Sequence, residues 1–165
     1  MGDTRMLPLA FVNRVSEDIL TPQQIIDACN AVWEANKSNC SGFVRAVASP
    51  LGVTLFDDGD DADSIVDKLT SAPDWGALPD LPTVEANASA GWFIIAGMKS
   101  TEFATPRANG HVIVVVQGDD PNHPGFPMAY WGMLGGVGQE NSSIRNTFNV
   151  HQDLPNVHYF GIQLP

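Results

Sequence analysis

Two residues of this 165-residue chain have the type and setting for nucleophilic chemistry, Cys40 and His111. Cys40 stands in the stretch Asn39-Cys40-Ser41-Gly42-Phe43-Val44. A cysteine attacks a carbonyl only as its thiolate, so the surroundings of the sulfur decide its reactivity. Ser38 or Asn39 can cap a helix that begins here by accepting a hydrogen bond from a free backbone N–H. That places Cys40 at a helix N-terminus, where the dipole and the unpaired N–H groups favour negative charge and make the thiolate more accessible. The same N–H groups can hold a developing oxyanion. Gly42 leaves room for a ligand or another backbone to approach. A free cysteine most often ends as a small buried apolar residue, and a second feature weighs against that reading. Asn109-Gly110-His111 opens the run Val112-Ile113-Val114-Val115-Val116. This is a histidine at the mouth of a β-branched stretch, the pattern of a buried strand.

The elements that must position this pair are visible in the apolar periodicity. Ile25, Ile26, Ala28, Cys29, Val32 and Trp33 recur at helical spacing, and Thr21-Pro22 is a helix start with threonine as cap and proline in the first turn. This first helix is expected to run to Glu34 or Asn36, with Asn36 to Asn39 breaking it as a turn. The Cys40 helix follows on Phe43, Val44, Ala46, Val47 and Ala48, and Pro50 stops it. The acidic run from Asp57 to Asp63 lacks the glutamate that a calcium loop of the EF-hand type needs. It reads as a solvated loop whose negative charge caps a short helix carrying Ile65, Val66 and Leu69. Residues 71–89 read as loop with a helical turn at Val84 to Ala88. Strands are expected at Gly91 to Met98, His111 to Gln117, Pro127 to Leu134 and Asn156 to Gln163. Residues 99–108 form a loop that leads straight to His111, so it overhangs the site and shapes specificity. Gly135-Gly136-Val137-Gly138 invites a phosphate-loop reading, but no Gly-Lys-Ser/Thr follows. Helices first and antiparallel strands after indicate an α+β fold.

Composition narrows the function. The balance of 8 Lys+Arg against 19 Asp+Glu gives a formal charge of −11. Nucleic-acid binding needs clustered basic residues, so nucleic acid is excluded as a partner, and so are anionic membrane surfaces. No run is long enough to span a bilayer, and no secretory signal peptide is evident, because Pro8 and Asn13 interrupt the short apolar stretch Leu7 to Val12 and Asp3 precedes it. With two cysteines the chain is no disulfide scaffold. Cys29 lies on the apolar face of the first helix and reads as packing. His123, His151 and His158 show no zinc-ligand spacing, so no metal and no cofactor is expected. The length fits one catalytic domain over residues 1–165, with residues 1–20 as an N-terminal extension in which Leu7 to Val12 forms an extended segment.

Cysteine at a helix start followed far downstream by histidine at a strand start is the order of papain-like thiol hydrolases. The Cys40 stretch resembles the D-C-S-G-F/L-V box of NlpC-type cell-wall peptidases. Five stretches together resemble the bacterial type VI secretion amidase effectors, especially their first family. They are Cys40 to Val53, Gly91 to Lys99, Gly110-His111-Val112, Pro127-Met128 and Gly135 to Gln139, matching in order from about Ile25 to the C-terminus.

That resemblance implies a papain-like α+β fold in which the nucleophile's helix packs on a small antiparallel sheet carrying the histidine. It implies a cysteine peptidoglycan amidase, a DL-endopeptidase, that cuts the stem peptide between γ-D-glutamate and meso-diaminopimelate. It also implies a cognate immunity protein, the type VI secretion tube as delivery partner, and export from the cytoplasm into a target cell's periplasm as an antibacterial toxin. Cys40 is the expected nucleophile and His111 the base. Asn39 and Ser41 are candidates for touching substrate, and Asn39 stands where many NlpC-type enzymes carry aspartate. The group that orients the imidazole is open between a backbone carbonyl at Trp131 and the carboxylates of Asp119 or Asp120, whose plainer role is turn formation. Other readings are a housekeeping NlpC-type cell-wall peptidase and an inactive binding module on the same fold.

Overall fold

The computed structural model describes residues 19–165, so the expected segment at Leu7 to Val12 lies outside the described residues. Four helices and six strands follow in the order α1 (Pro22–Asn36), α2 (Cys40–Ala48), α3 (Ala62–Ser71), β1 (Gly76–Leu78), α4 (Leu81–Ser89), β2 (Phe93–Met98), β3 (His111–Asp119), β4 (Pro127–Trp131), β5 (Gln139–Ser143) and β6 (His158–Ile162). Each helix begins where a short polar side chain can take a free N–H. Thr21 and Gln24 form a reciprocal capping box at α1, and Asn39, Asp61 and Asp80 cap the other three.

The strands form one sheet in the order β1-β6-β2-β3-β4-β5, with every neighbouring pair antiparallel. The α+β expectation holds, and α2 packs on the sheet as in a papain-like fold. β2 and β3 are the central strands, and alternate residues face opposite layers. Val112, Val114 and Val116 face α1, α2 and α3 with Phe43, Val44 and Val47. Ile113 and Val115 face a second layer built from α4, Ile144 and Phe148. Burial on both faces explains the unbroken β-branched run after His111. Each fully buried Val, Ile or Phe here stabilises the fold by about 1.5–3 kcal/mol, as an upper estimate.

The structure corrects the expected elements at several points. Residues 81–89 form a full helix instead of a single turn, because Asp80 caps it and Pro82 sits in its first turn. β3 runs on to Asp119, and β4 stops at Trp131 because Gly132 turns the chain away. β1 and β5 were not expected. β5 is a polar edge strand whose residues before Ser143 are mostly exposed, so it carries no alternation to read.

The acidic run divides its work. Asp57 and Asp60 both bind Lys68 Nζ, at 2.7 and 2.6 Å. Asp61 caps α3, and Asp63 reaches across to Ser100.

Candidate active site

The turn before Cys40 is held from both sides. Asn39 is extended, and its Oδ1 accepts from the Gly42 N–H at 2.9 Å and from Ser41 Oγ at 3.1 Å. Lys37 carbonyl oxygen accepts from the N–H groups of Met133 and Gly138, at 3.0 and 2.7 Å. A side chain on Gly132 would collide with the carbonyls of Asn36 and Asn39, and one on Gly138 with that of Trp131. The glycine-rich stretch after β4 is therefore a clasp on the nucleophile's turn.

This clasp fixes where α2 starts, and with it the sulfur. The Cys40 side chain is buried, and the backbone N–H groups of Val112, Ser41 and Cys40 favour its thiolate electrostatically. Val112 follows His111 at the start of β3, the strand on which α2 packs. Burial raises the Cys40 thiol above its ordinary range, and those N–H groups offset only part of the rise. Desolvation thus opposes the thiolate that the helix terminus favours.

His111 is 7% exposed. Its Nε2 lies 2.7 Å from Thr147 Oγ1, and the edge of its ring meets Phe148 with centroids 5.4 Å apart. Burial, helped by the positive charge of Arg107, lowers the imidazole to about 4. Near pH 7 the resting pair is therefore a neutral thiol and a neutral imidazole. With Nε2 on the threonine, Nδ1 is the nitrogen left to take a proton. A cavity of about 270 Å³ opens beside the ring, lined by Arg107, Asn109, His111, Met133, Leu134 and Thr147. A larger hollow of about 530 Å³, lined by Val53, Leu55, Trp75, Ile162 and Leu164, holds none of these groups.

The three groups considered for orienting the imidazole have other partners. The Trp131 carbonyl accepts from Trp33 Nε1 at 3.0 Å. Asp119 Oδ1 accepts from the Gly125 N–H at 2.8 Å, and Asp120 Oδ1 from the Asn122 N–H at 2.8 Å. Both carboxylates close the turn between β3 and β4. The polar side chain on the His111 ring is Thr147, which the sequence reading missed. Thr147 lies 36 residues beyond the histidine, just after the short 3-10 helix Ile144–Asn146. No local pattern marks it. It is brought there by Ile144 and Phe148, which anchor its segment in the core.

No family model matches the chain. It is 31% identical over 135 residues to the peptidoglycan amidase Tse1 of Pseudomonas aeruginosa, an alignment covering 78% of this chain and 80% of the relative. The chain belongs to the type VI secretion amidase effectors. The described residues contain no helix long and apolar enough to cross a membrane.

Proposed function

We propose that this protein is a cysteine-dependent peptidoglycan amidase. The observation that carries the reading is Cys40 at the start of α2, the helix packed on β3, which His111 opens. Cys40 attacks the amide carbonyl while His111 Nδ1 takes the thiol proton, so charge develops only as the carbon–sulfur bond forms. The backbone N–H of Cys40 donates to the oxyanion. Nε2–H donates to Thr147 Oγ1, which fixes the tautomer that leaves Nδ1 basic. His111 then gives its proton to the departing amine. Water, deprotonated by the same ring, hydrolyses the thioester and frees the carboxylate product. Asn39 and Ser41 border the nucleophile and are assigned to the rim that meets substrate.

The substrate we infer is the peptidoglycan stem peptide, cut at the γ-D-glutamyl–meso-diaminopimelate bond as by a DL-endopeptidase. The family relationship supports delivery by type VI secretion into the periplasm of a target cell, with a cognate immunity protein as the partner that restrains it. The test is mass spectrometry of muropeptides from Gram-negative sacculi digested with wild type and with Cys40→Ala. Cleavage at that bond by wild type alone is expected. Cleavage that persists in Cys40→Ala would sink the mechanism, and cleavage at another bond would replace the specificity.

A further inference from the structure

The loop between β2 and β3 presents one cation, Arg107, to the cavity beside His111 in a strongly acidic protein, and the loop is tied down at several points. Ser100 gives its N–H and its hydroxyl to the two Asp63 carboxylate oxygens, at 2.7 and 2.6 Å. The Lys99 N–H donates to Glu102 Oε2 at 2.8 Å, and Lys99 Nζ meets Asp67 Oδ1 at 2.9 Å. The Ala104 N–H donates to the buried Asp153 carboxylate at 3.0 Å, and the Arg107 N–H to the Ser100 carbonyl at 2.9 Å. A side chain at Gly110 would collide with Asp63, so the return into β3 runs tight against α3. Such a loop is a preformed support for the side chain at its end.

That side chain is Arg107. Its guanidinium lies over the Phe103 ring, 3.9 Å from the centroid. Phe103 stacks on Phe148, and Phe148 meets the edge of His111. An aromatic ladder thus fixes the distance between the guanidinium and the proposed base. The one carboxylate near Arg107, that of Asp153, stands 3.8 Å from Nη2, beyond hydrogen-bond reach. Among the described residues the guanidinium donates no hydrogen bond, although it is half exposed and lines the cavity beside His111. A planar fork of donors that is ion-paired with Asp153 at long range and still free of hydrogen bonds matches a carboxylate, which it can grip through two parallel hydrogen bonds.

We infer that Arg107 is a specificity-determining residue that binds a substrate carboxylate flanking the scissile amide. The inference rests on the amidase reading for the identity of that substrate. A γ-linked glutamyl residue keeps its α-carboxylate free on the acyl side, and diaminopimelate carries a carboxylate on the amine side. Either would lie within a residue of the bond that Cys40 attacks. A carboxylate on Arg107 would also offset the positive charge that now disfavours protonated His111, so binding would ready the base.

The test uses Cys40→Ala protein, so that binding is read without turnover, and calorimetric titration with three synthetic stem peptides. One carries both carboxylates, one is amidated at the glutamyl α-position, and one is amidated on diaminopimelate. We expect one amidation to weaken binding roughly tenfold and the other to leave it unchanged, which identifies the carboxylate gripped. Adding Arg107→Gln should erase the difference, while Arg107→Lys, which keeps the charge and loses the fork, should retain part of it. Thermal melts of each variant show whether the loop still folds, and a merely structural role would weaken all three peptides alike. Equal binding of the three peptides, no binding of any, or a preference that survives Arg107→Gln overturns the inference. Cleavage of the peptides by wild type, measured alongside, tests the amidase reading separately: turnover without discrimination leaves the amidase and removes Arg107's role. Discrimination without turnover does the reverse.

Discussion

Cys29 and Cys40 are both buried and both raised above the ordinary thiol range by desolvation, yet only one starts a helix. Cys29 sits inside α1, where the backbone N–H groups are already engaged in the helix. Burial is the sole cause of its shift. Cys40 starts a helix, and the backbone N–H groups of Val112, Ser41 and Cys40 favour its thiolate. Burial therefore does not separate a structural from a reactive cysteine. Backbone donors near the sulfur are the difference between the two, because they stabilise the anion that forms when a proton is taken away.

The largest expected effect would break this comparison outright. Cys40→Ala should lower the hydrolysis rate by at least ~10³-fold. Cys29→Ala should leave the rate near wild type and instead cost about 1–2 kcal/mol of stability through lost packing. Activity assays and denaturant melts on the two variants decide it, and comparable activity losses would show that the donors are not what distinguishes the two thiols.

A second measurement concerns the base that makes the distinction useful. His111 titrates at about 4 in the fold, against 6.5 for a free imidazole. The unfolded chain therefore binds a proton between those values that the folded chain does not. This contribution to stability is complete above pH 6.5 and is lost as the pH falls towards 4, by about 3 kcal/mol in all. Unfolding free energies for wild type and His111→Gln across that range should diverge accordingly. Parallel curves would mean that the ring is not held neutral by burial.

Smaller effects sharpen the picture. Thr147→Val should lower kcat roughly tenfold with little change in KM, since the ring loses its orienting partner but the cleft keeps its shape. Thr147→Ser should restore most of it, and an unchanged kcat in the valine variant would remove the threonine from the site. Asn39→Ala should cost about 1 kcal/mol, a helix cap's usual worth. It should also slow the reaction modestly by loosening the start of α2, whereas Asp80→Ala, a cap remote from the cleft, should shift stability alone.

The sequence carried the half of the site that depends on local patterning. Asn39 before an apolar helical repeat announced the start of α2, and the valine run announced β3 with His111 at its head. What it hid depends on distant chain. Thr147 has no periodic or motif context and reaches the imidazole only because Ile144 and Phe148 are anchored in the second core layer. β5 was illegible for a related reason: Gln139 to Ser142 are polar and line an outer edge, so neither alternation nor hydrophobicity marks them. The balance between desolvation and donors at Cys40 was also out of reach, because the depth of burial is set by the whole sheet.

The glycine clasp has a consequence for how the protein comes into being. Lys37 is gripped by Met133 and Gly138, about a hundred positions later in the chain. Contacts of such high sequence separation form late, because the loop they close must first be drawn together. A chain still emerging from the ribosome, or cut short before Gly138, carries the cysteine without the turn that aims it. Alignment of the Cys40 turn therefore waits until the chain through Gly138 is in place.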